Sequence, residues 1–437
     1  MRVRHSASRR FPTTLRLRSK PSSNSAADWK EPSMTPNDMW AWHDAHGLKR
    51  LINVSGTMTS LGGSITSKAV QEATAVIMGE FVNMHQLQAL ASTAIADLTG
   101  AEAGCVTASA SAGITLSVAG CLTGIDPGRV EALPCQPGDR NEVVVQLGHM
   151  CGYGAPVSQA VQLAGATVRP VGQSTHAMDY QLESALTGNT AAALYVVSHH
   201  VVHYGQIPFG RFVEICRSAD VPVIVDAASE YDLKGFIAGG ADLAIYSGHK
   251  FLGGPTAGII AGRRELVRAA YLQNMGIGRG MKVGKESIAG TIAALRQWQK
   301  RDHGAVRAQE RAALELWARA LSSLDGIQPV IVPDPTGNPL ERLQVNVDEA
   351  AVGASAAVLA RALGEMDPAI IVRNHEVELG YFQLDPCNLK PGQAEMVADS
   401  LAKALVRAAS LEPRESDVHA ARNGGVDAYL DWLAGET

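Results

Sequence analysis

The sequence predicts an α/β fold, in which helices cover both faces of a mostly parallel sheet, followed by a smaller α+β domain. Apolar segments of strand length alternate with segments whose apolar residues recur every three or four positions. One strand-like segment, residues 221–225, is apolar on both faces, which is typical of a strand inside a parallel sheet. Beyond residue 284 the pattern changes to a long helical stretch and then to shorter strands.

The strand-like segments of the first part follow one another at the spacing of βαβ units. In chain order they are GCVTAS, EVVVQL, ATVRPV, AALYVVS, VPVIVDA, LAIYS and GIIAG. Helical periodicity lies between several of them, as in ALASTAIADLTG and FGRFVEICRSAD. The later part begins with a helical stretch from KESIAGTIAAL to ALSSL and continues with RLQVNVD, AIIVRNHEV, YFQLDP and the helical GQAEMVADSLAKALVRAAS.

These patterns divide the chain into four parts. They are an N-terminal arm over residues 1–33, an N-terminal segment over 34–60, a large ligand-binding domain over 61–284, and a long helix with a small C-terminal domain over 285–437. The arm is rich in Arg and Ser and has no acid before Asp28, which is typical of a transit peptide or a disordered segment. A start of translation at Met34 explains the arm equally well.

Composition excludes some classes of function. The 437 residues carry a net charge of −5, which argues against a nucleic-acid-binding surface over the whole molecule. No apolar run approaches the roughly 20 residues of a membrane span. The six cysteines form no C-x-x-C pair, so we expect reduced thiols, no metal site and a cytoplasmic protein.

A single lysine interrupts the segment YSGHKFLGGPTAGII and indicates a ligand site. Lys250 follows one predicted strand, and Asp226 ends the strand before it. Ligands of open α/β sheets bind at the carboxyl ends of such strands. Upstream, VTASASAGITL reads as a strand, a turn of small residues and a helix, whose first N–H groups could bind a phosphate.

An amine, a carboxylate and an anion-binding helix start are the groups that pyridoxal phosphate requires. A lysine holds the aldehyde of this cofactor, and an acid beside the ring nitrogen keeps that nitrogen protonated. Taken singly, each group has a simpler explanation: Asp226 could cap a helix, and Lys250 could be a solvated charge. Their order along the chain favours a pyridoxal phosphate site.

The same segments resemble a known family. YSGHKFLGGPTAGII is similar to the lysine segment of the selenium-transferase-like (SelA-like) group of pyridoxal phosphate enzymes. INVSGTMTSLGG and GIGRGMKVGKESIAG resemble the branch that includes D-glucosaminate-6-phosphate ammonia-lyase. The resemblance covers roughly residues 48–408. It implies the fold-type-I, aspartate-aminotransferase-like fold, in a homodimer or higher homo-oligomer with active sites at subunit interfaces.

The resemblance also implies roles for individual residues. Lys250 would bind the cofactor and move the proton at the substrate's α-carbon, and Asp226 would pair with the ring nitrogen. His199 and His200 would face the cofactor's hydroxyl and the substrate. The remaining cofactor-binding residues are the phosphate-binding Ser109, Ala110, Ser111, Ala112, Gly113 and Ser247, the aromatic lid His149 with Tyr153 as its alternative, and His249, which stands where the family often has a small or acidic residue.

Arginine and lysine residues are the candidates for binding the substrate's carboxylate. Guanidinium groups suit this task because their fork matches two carboxylate oxygens. Arg279 lies in GRGMKVGK with Lys282 and Lys285, and Arg373 ends a predicted strand of the small domain. Fold-type-I enzymes commonly place a carboxylate-binding arginine at the latter position. The alternative for the first group is a solvated loop.

The reaction is predicted from the resemblance, because this cofactor supports many reactions. The ammonia-lyase branch implies α,β-elimination from a small 2-amino-3-hydroxy acid such as D-glucosaminate or its 6-phosphate. The products would be a 2-oxo acid and ammonia, with a histidine protonating the leaving hydroxyl. Alternatives are β-replacement on seryl-tRNA, which the net charge disfavours, an aminotransferase, an aldolase, and a regulator without turnover.

Overall fold

The computed structural model describes residues 40–411 and 416–433. The predicted arm, residues 1–33, lies outside this part of the chain. Of the first compact unit, the structure describes residues 40–50, which contain the short helix α1 (Ala41–His46).

From Leu51 onward, helices and strands alternate as the sequence predicts. In chain order they are β1 (Leu51–Val54), α2 (Lys68–Met78), α3 (Met84–Thr99), β2 (Ala103–Thr107), α4 (Ala110–Thr123), α5 (Pro127–Ala132), β3 (Glu142–Gln146), α6 (Val157–Gln162), β4 (Thr167–Val171), α7 (Asp179–Ala185), β5 (Thr190–Val196), α8 (Phe209–Ser218), β6 (Val223–Asp226), α9 (Gly235–Ala238), β7 (Leu243–Ser247), β8 (Gly258–Gly262), α10 (Arg264–Leu272), α11 (Lys285–Lys300), α12 (His303–Leu321), β9 (Ile327–Pro333), β10 (Glu341–Val347), α13 (Glu349–Val352), α14 (Ala356–Gly364), β11 (Ala369–Val372), β12 (Tyr381–Leu384), α15 (Gln393–Ser410) and α16 (Ser416–Asp431).

A seven-stranded sheet is the centre of the large domain. Its strand order is β2-β8-β7-β6-β5-β3-β4. The strands from β7 to β4 are parallel to one another, whereas β8 is antiparallel to both β7 and β2. Strand β8 reverses direction because it follows β7 through a short turn rather than a helical crossover. The predicted α/β fold with a mostly parallel sheet is confirmed.

Both faces of this sheet are covered, so alternate residues of one strand lie in different cores. Val223 and Val225 of β6 lie in the cluster that also contains residues of α3, α8 and α11. Ile224 lies in the opposite cluster, with residues of α4, α6 and α10. This arrangement explains the continuous apolar character of residues 221–225. None of the helices within the described residues is long and apolar enough to cross a membrane.

The small domain contains the antiparallel sheet β12-β10-β9. The sequence predicts β10, β11 and β12 but misses β9, which contains Pro329 and ends at Pro333. Strand β9 lies at the edge of its sheet, where a missing N–H is tolerated. The sequence also misses β1, which pairs in parallel with β11 and so joins the segment that begins at Leu51 to the small domain.

The long helical stretch is divided into α11 and α12. Arg301 follows α11 with extended backbone, and the Asp302 side chain then accepts a hydrogen bond of 2.9 Å from the Ala305 N–H to start α12. The strands of the large sheet lie within residues 61–284, and those of the three-stranded sheet lie within 285–437. The domain boundaries themselves stay a prediction.

Candidate active site

Three neighbouring parallel strands end next to one another and carry several of the predicted site residues. Asp226 is the last residue of β6, Ser247 is the last residue of β7, and His199 and His200 follow β5. Strand β6 pairs with β5 on one side and with β7 on the other. The loops after these strands therefore form one carboxyl-end cleft, the place where α/β sheets bind ligands.

Lys250 lies in a tight turn after β7. Its carbonyl accepts a hydrogen bond of 2.9 Å from Gly253, which has a φ of 68° and so favours glycine. The Lys250 Nζ donates a hydrogen bond to the Ser229 hydroxyl. Burial lowers the pKa of Lys250, although the carboxyl groups of Asp226 and Glu230 oppose this effect. A partly desolvated amine of this kind is a better nucleophile than a solvated lysine.

Asp226 is buried, with 6% of its surface exposed. Its Oδ1 accepts a hydrogen bond of 3.2 Å from the Ala228 N–H. Burial raises the pKa of Asp226 to about 6, while Lys250 and the Ala228 hydrogen bond act in the opposite direction. A carboxyl group in such surroundings interacts strongly with a cation placed beside it.

The start of α4 forms the third wall of the cleft. Ser109 caps the helix, because its hydroxyl accepts a hydrogen bond of 3.0 Å from the Ala112 N–H. The Gly113 N–H donates to the Ser109 carbonyl at 2.9 Å. The first N–H groups of a helix, here those of Ala110 and Ser111, have no intrahelical partner and are suited to an anion.

Close packing holds this helix start in place. A Cβ at position 258 would lie 2.1 Å from the Ser109 carbonyl oxygen, so only glycine lets β8 pass beneath the cap. The Ser111 hydroxyl lies 3.1 Å from the Tyr153 hydroxyl. Tyr153, the alternative aromatic residue of the sequence prediction, therefore contacts the predicted phosphate-binding turn.

His149 is buried beside β5. Its Nδ1 accepts a hydrogen bond of 3.2 Å from the Val196 N–H, and its ring meets Tyr195 edge-on at 4.5 Å. Burial lowers the pKa of His149 to about 4, so the ring is neutral at neutral pH. Its role as an aromatic lid stays a prediction.

Cys151 lies two residues beyond His149 and interacts electrostatically with both Asp226 and Lys250. Burial raises the pKa of the Cys151 thiol to about 11; Asp226 adds to this effect and Lys250 opposes it. The thiol is therefore protonated at neutral pH and lines the cleft as a small apolar group. The sequence analysis missed it, because an isolated cysteine has no distinguishing pattern.

Three histidines surround one arginine at the boundary with the small domain. The rings of His199 and His200 lie 3.8 Å apart, and His375 lies 6.4 Å from the first and 5.7 Å from the second. Burial and then the charge of Arg373 lower the pKa of His200 and of His375 to about 4. The same causes lower the pKa of His199 further. All three rings are neutral at neutral pH.

Arg373 is the charged centre of this cluster. It is 7% exposed, and within the described residues its guanidinium makes no hydrogen bond or ion pair. Burial and the nearby Arg342 lower its pKa, and the carboxyl groups of Glu376, Asp385 and Asp334, none of which pairs with it directly, oppose this effect. By contrast, Arg342 is neutralised by Asp334 at 2.8 Å and by Asp385 at 3.0 Å. A buried cation without a counter-ion is a site for an anionic ligand.

His249 and Ser247 stand beneath Lys250. The Ser247 hydroxyl lies 3.3 Å from the Nδ1 of His249, and burial followed by the charge of Lys250 lowers the pKa of His249. The segment after β1 packs on this histidine: Ser64 donates to the His249 carbonyl at 2.8 Å, and a Cβ at Gly63 would lie 2.1 Å from its ring. Gly63, the last residue of INVSGTMTSLGG, thus permits this close approach.

The GRGMKVGK segment is less involved in this cleft than Arg373. Arg279 and Lys282 are exposed, and neither side chain makes a hydrogen bond or ion pair with the residues around Lys250. Lys285 donates to the carbonyls of Met78, the last residue of α2, and of Glu80, so it has a structural role in this chain. Substrate binding by Arg279 and Lys282 stays a prediction.

The sequence analysis also missed residues that lie far apart in the chain. Glu230 follows β6 and is buried, and the Thr336 hydroxyl from the loop after β9 lies 3.2 Å from its Oε2. His375 lies two residues beyond Arg373 and completes the histidine cluster. The NHE triplet around His375 is the one sequence feature that could have pointed to this histidine. Nothing in the sequence links residues 230 and 336.

The residues of this cleft fit pyridoxal phosphate. A nucleophilic amine, a buried carboxyl group and the start of a 14-residue helix converge on one place, and Gly258 lets β8 pass close to the Ser109 carbonyl at that helix start. These are the groups that the aldehyde, the ring nitrogen and the phosphate require.

Comparison with known proteins supports this interpretation. The family model for L-seryl-tRNA selenium transferase matches residues 51–326. This chain belongs to the SelA family. The family's enzymes depend on pyridoxal phosphate, and the resemblance noted in the sequence is confirmed.

Two curated relatives of this SelA-family chain are similar over most of their length. D-glucosaminate-6-phosphate ammonia lyase of Salmonella typhimurium is 38% identical over 86% of this chain and 100% of its own length. A 5'-C-glycyluridine monooxygenase-decarboxylase of Streptomyces sp is 39% identical over 82% of this chain and 91% of its own length. The family therefore includes different reactions at similar sequence distance.

Solved structures agree with the fold. The structure of D-glucosaminate-6-phosphate ammonia-lyase superposes with a TM-score of 0.77 at 38% identity, over 86% of this chain and 100% of that one. Aspartate aminotransferase of Thermus thermophilus, at 15% identity, a TM-score of 0.50 and coverage of 84% and 93%, shows the fold alone. The chain has the fold-type-I architecture.

Proposed function

We propose that this SelA-family chain is a pyridoxal-phosphate-dependent lyase that converts a 2-amino-3-hydroxy acid into a 2-oxo acid and ammonia. D-glucosaminate or its 6-phosphate is the substrate class that we favour, because similarity to the ammonia lyase extends over that enzyme's whole length. The observation that carries the proposal is the convergence of Lys250, Asp226 and the start of α4 beside the unneutralised Arg373.

The chain's own residues have distinct tasks in this proposal. When bound, the cofactor supplies an electron-withdrawing ring at the substrate's α-carbon. Lys250 takes the proton from that carbon, and Asp226 provides the negative charge beside the ring nitrogen. The N–H groups at the start of α4 bind the cofactor's phosphate. Arg373 orients the substrate through its carboxylate.

Arg373→Ala tests the carboxylate site. We expect the KM for the amino-acid substrate to rise about 100-fold, because a charge-assisted hydrogen bond to a buried partner contributes about 3 kcal/mol. Cofactor absorbance should not change, because the cofactor is held elsewhere. Steady-state kinetics and absorbance spectra of the purified variant provide the measurement.

Arg279→Ala is the matched control for Arg373→Ala. It removes the same guanidinium from an exposed position, and we expect a much smaller change in KM. A large rise in KM for Arg279→Ala with no change for Arg373→Ala would show that the GRGMKVGK segment binds the substrate's carboxylate. Unchanged KM in both variants would contradict both assignments.

A substrate screen tests the reaction. The purified protein should be yellow, and we expect light scattering to show a homodimer or larger assembly. It should release ammonia and a 2-oxo acid from 2-amino-3-hydroxy acids without an added amino acceptor. Dependence on an acceptor would indicate an aminotransferase, and aldehyde release an aldolase. Dependence on charged tRNA would indicate a selenium transferase. Oxygen-dependent CO₂ release would instead indicate an oxidative decarboxylase.

A further inference from the structure

We propose that Glu230 is a catalytic acid that stays protonated in the resting protein, is positioned through Thr336, and donates its proton to the β-oxygen of the substrate. The proposal rests on the lyase function proposed above. It differs from the sequence expectation, in which a histidine protonates the leaving hydroxyl.

The Thr336 hydroxyl has three polar neighbours. Its Oγ1 lies 2.6 Å from Asp334 Oδ1, 2.9 Å from Asn338 Nδ2 and 3.2 Å from Glu230 Oε2. A hydroxyl has one proton to donate and two lone pairs that accept. Only one of the two carboxyl groups can therefore receive the Thr336 proton.

The orientation of Asn338 determines which neighbours donate. The Tyr231 N–H donates to the Asn338 Oδ1 at 2.8 Å, so the amide nitrogen must face Thr336 and donate to it. The Thr336 proton must then go to Asp334 or to Glu230.

Asp334 is the preferred acceptor of that proton. Arg342 pairs with it at 2.8 Å. Burial acts to raise the pKa of Asp334, but hydrogen bonding from Thr336 and the charge of Arg342 outweigh burial and lower it. Asp334 is therefore ionised, and it is also closer to Thr336 than Glu230 is. The contact between Glu230 and Thr336 is then complete only if Glu230 donates, which requires a protonated carboxylic acid.

The other groups around Glu230 agree with this proton arrangement. Burial raises the pKa of Glu230 to about 8 and the charge of Asp334 acts in the same direction, against the lowering effects of Asn338 and Lys250. Tyr246 of β7 also interacts with Glu230 and has its own pKa raised, mainly by burial. Glu230 directly follows Ser229, whose hydroxyl accepts a hydrogen bond from the Lys250 Nζ, so it belongs to the loop that contacts the residue proposed to take the α-proton.

The elimination step balances with this acid. The α-proton goes to Lys250, and the electron pair of the broken Cα–H bond forms the Cα–Cβ double bond. The Cβ–O bond breaks with its electrons on oxygen, which takes the Glu230 proton and leaves as water. Glu230 is reprotonated by Lys250 or by solvent. The neutral rings of His199, His200 and His375 are weaker proton donors than a carboxylic acid.

Glu230→Gln is the main test, because glutamine keeps the shape but cannot transfer a proton in this way. In D₂O, we expect ammonia release to fall at least about 100-fold, the scale of general acid catalysis, while exchange of the substrate's α-proton continues. Glu142→Gln, at the far end of β3 from the cleft, is the matched control and should keep the parent rate.

The infrared spectrum of the full chain is a readout independent of activity. At neutral pH the parent should show a protonated-carboxyl band that Glu230→Gln lacks, and this band should disappear as the pH rises through about 8. Ammonia release should fall over the same pH range, because ionised Glu230 has no proton to donate. If the parent and Glu230→Gln proteins have identical infrared spectra, or if Glu230→Gln releases ammonia at the parent rate, the proposal is overturned. The histidines would then be the candidates for the catalytic acid.

Two variants of Thr336 test its positioning role. Thr336→Val removes the acceptor and should shift the carboxyl band and lower kcat with little change in KM, whereas Thr336→Ser keeps the hydroxyl and should restore both. If the parent releases no ammonia, the lyase proposal fails and Glu230 loses its catalytic role. The carboxyl band would still support a protonated Glu230 in that case.

Discussion

Replacing Lys250 by alanine should reduce turnover by on the order of 10⁴-fold or more, because the substitution removes both the cofactor's covalent anchor and the base for the α-proton. Each factor of ten in rate corresponds to about 1.4 kcal/mol of transition-state stabilisation. Borohydride treatment should fix the cofactor to the parent protein, and peptide mapping should locate it on Lys250. The Lys250→Ala protein should retain no cofactor after the same treatment and denaturation.

Lys234→Ala is the matched control for Lys250→Ala. Lys234 is an exposed lysine before α9, and its removal should leave both turnover and borohydride labelling at the parent level. A parent protein that remains colourless after incubation with pyridoxal phosphate would contradict the cofactor assignment. Borohydride labelling at another lysine would support the cofactor assignment but would show that Lys250 is not the residue that holds the cofactor.

Asp226→Asn is the second change with a large expected effect. Asparagine preserves the shape of the side chain but removes the negative charge beside the ring nitrogen, so much of the cofactor should remain bound. We expect kcat to fall by about three powers of ten, which corresponds to roughly 4 kcal/mol. Steady-state kinetics with cofactor occupancy measured by absorbance would show this combination. Near-normal kcat would mean that the acid is misassigned.

In the cofactor-free protein, Asp226→Asn should be favourable, because it should increase the free energy of unfolding. Folding raises the pKa of Asp226 from 3.8 to about 6, so its contribution to stability is present below pH 3.8 and is lost as the pH rises through 6. Asp226→Asn should therefore increase the free energy of unfolding at pH 8 by up to roughly 3 kcal/mol, with little change at pH 3.5. The control is Asp232→Asn, the same substitution at an exposed position. Thermal unfolding at both pH values tests this expectation.

Local patterns in the sequence were enough to predict the large sheet and the cofactor class. Strands buried on both faces are apolar throughout, as at Val223, and a helix start after a strand has small residues, as at Ser109. Asp226 ends β6, and Lys250 follows β7, the next strand along the chain and its parallel neighbour in the sheet, so their distance in the chain already implies their proximity. The sequence therefore determined the fold class and the part of the site that belongs to one sheet edge.

Only the tertiary structure decided which groups from the small domain join that edge and how each is charged. Arg373 makes no direct ion pair within the described residues, whereas Arg342 pairs with both Asp334 and Asp385, although both arginines lie in or beside strands of the small domain. Glu230 and Thr336 lie 106 positions apart and meet because the loop after β9 packs against the loop after β6. Burial and hydrogen-bond partners control protonation, and both depend on contacts between distant segments that no local sequence pattern encodes.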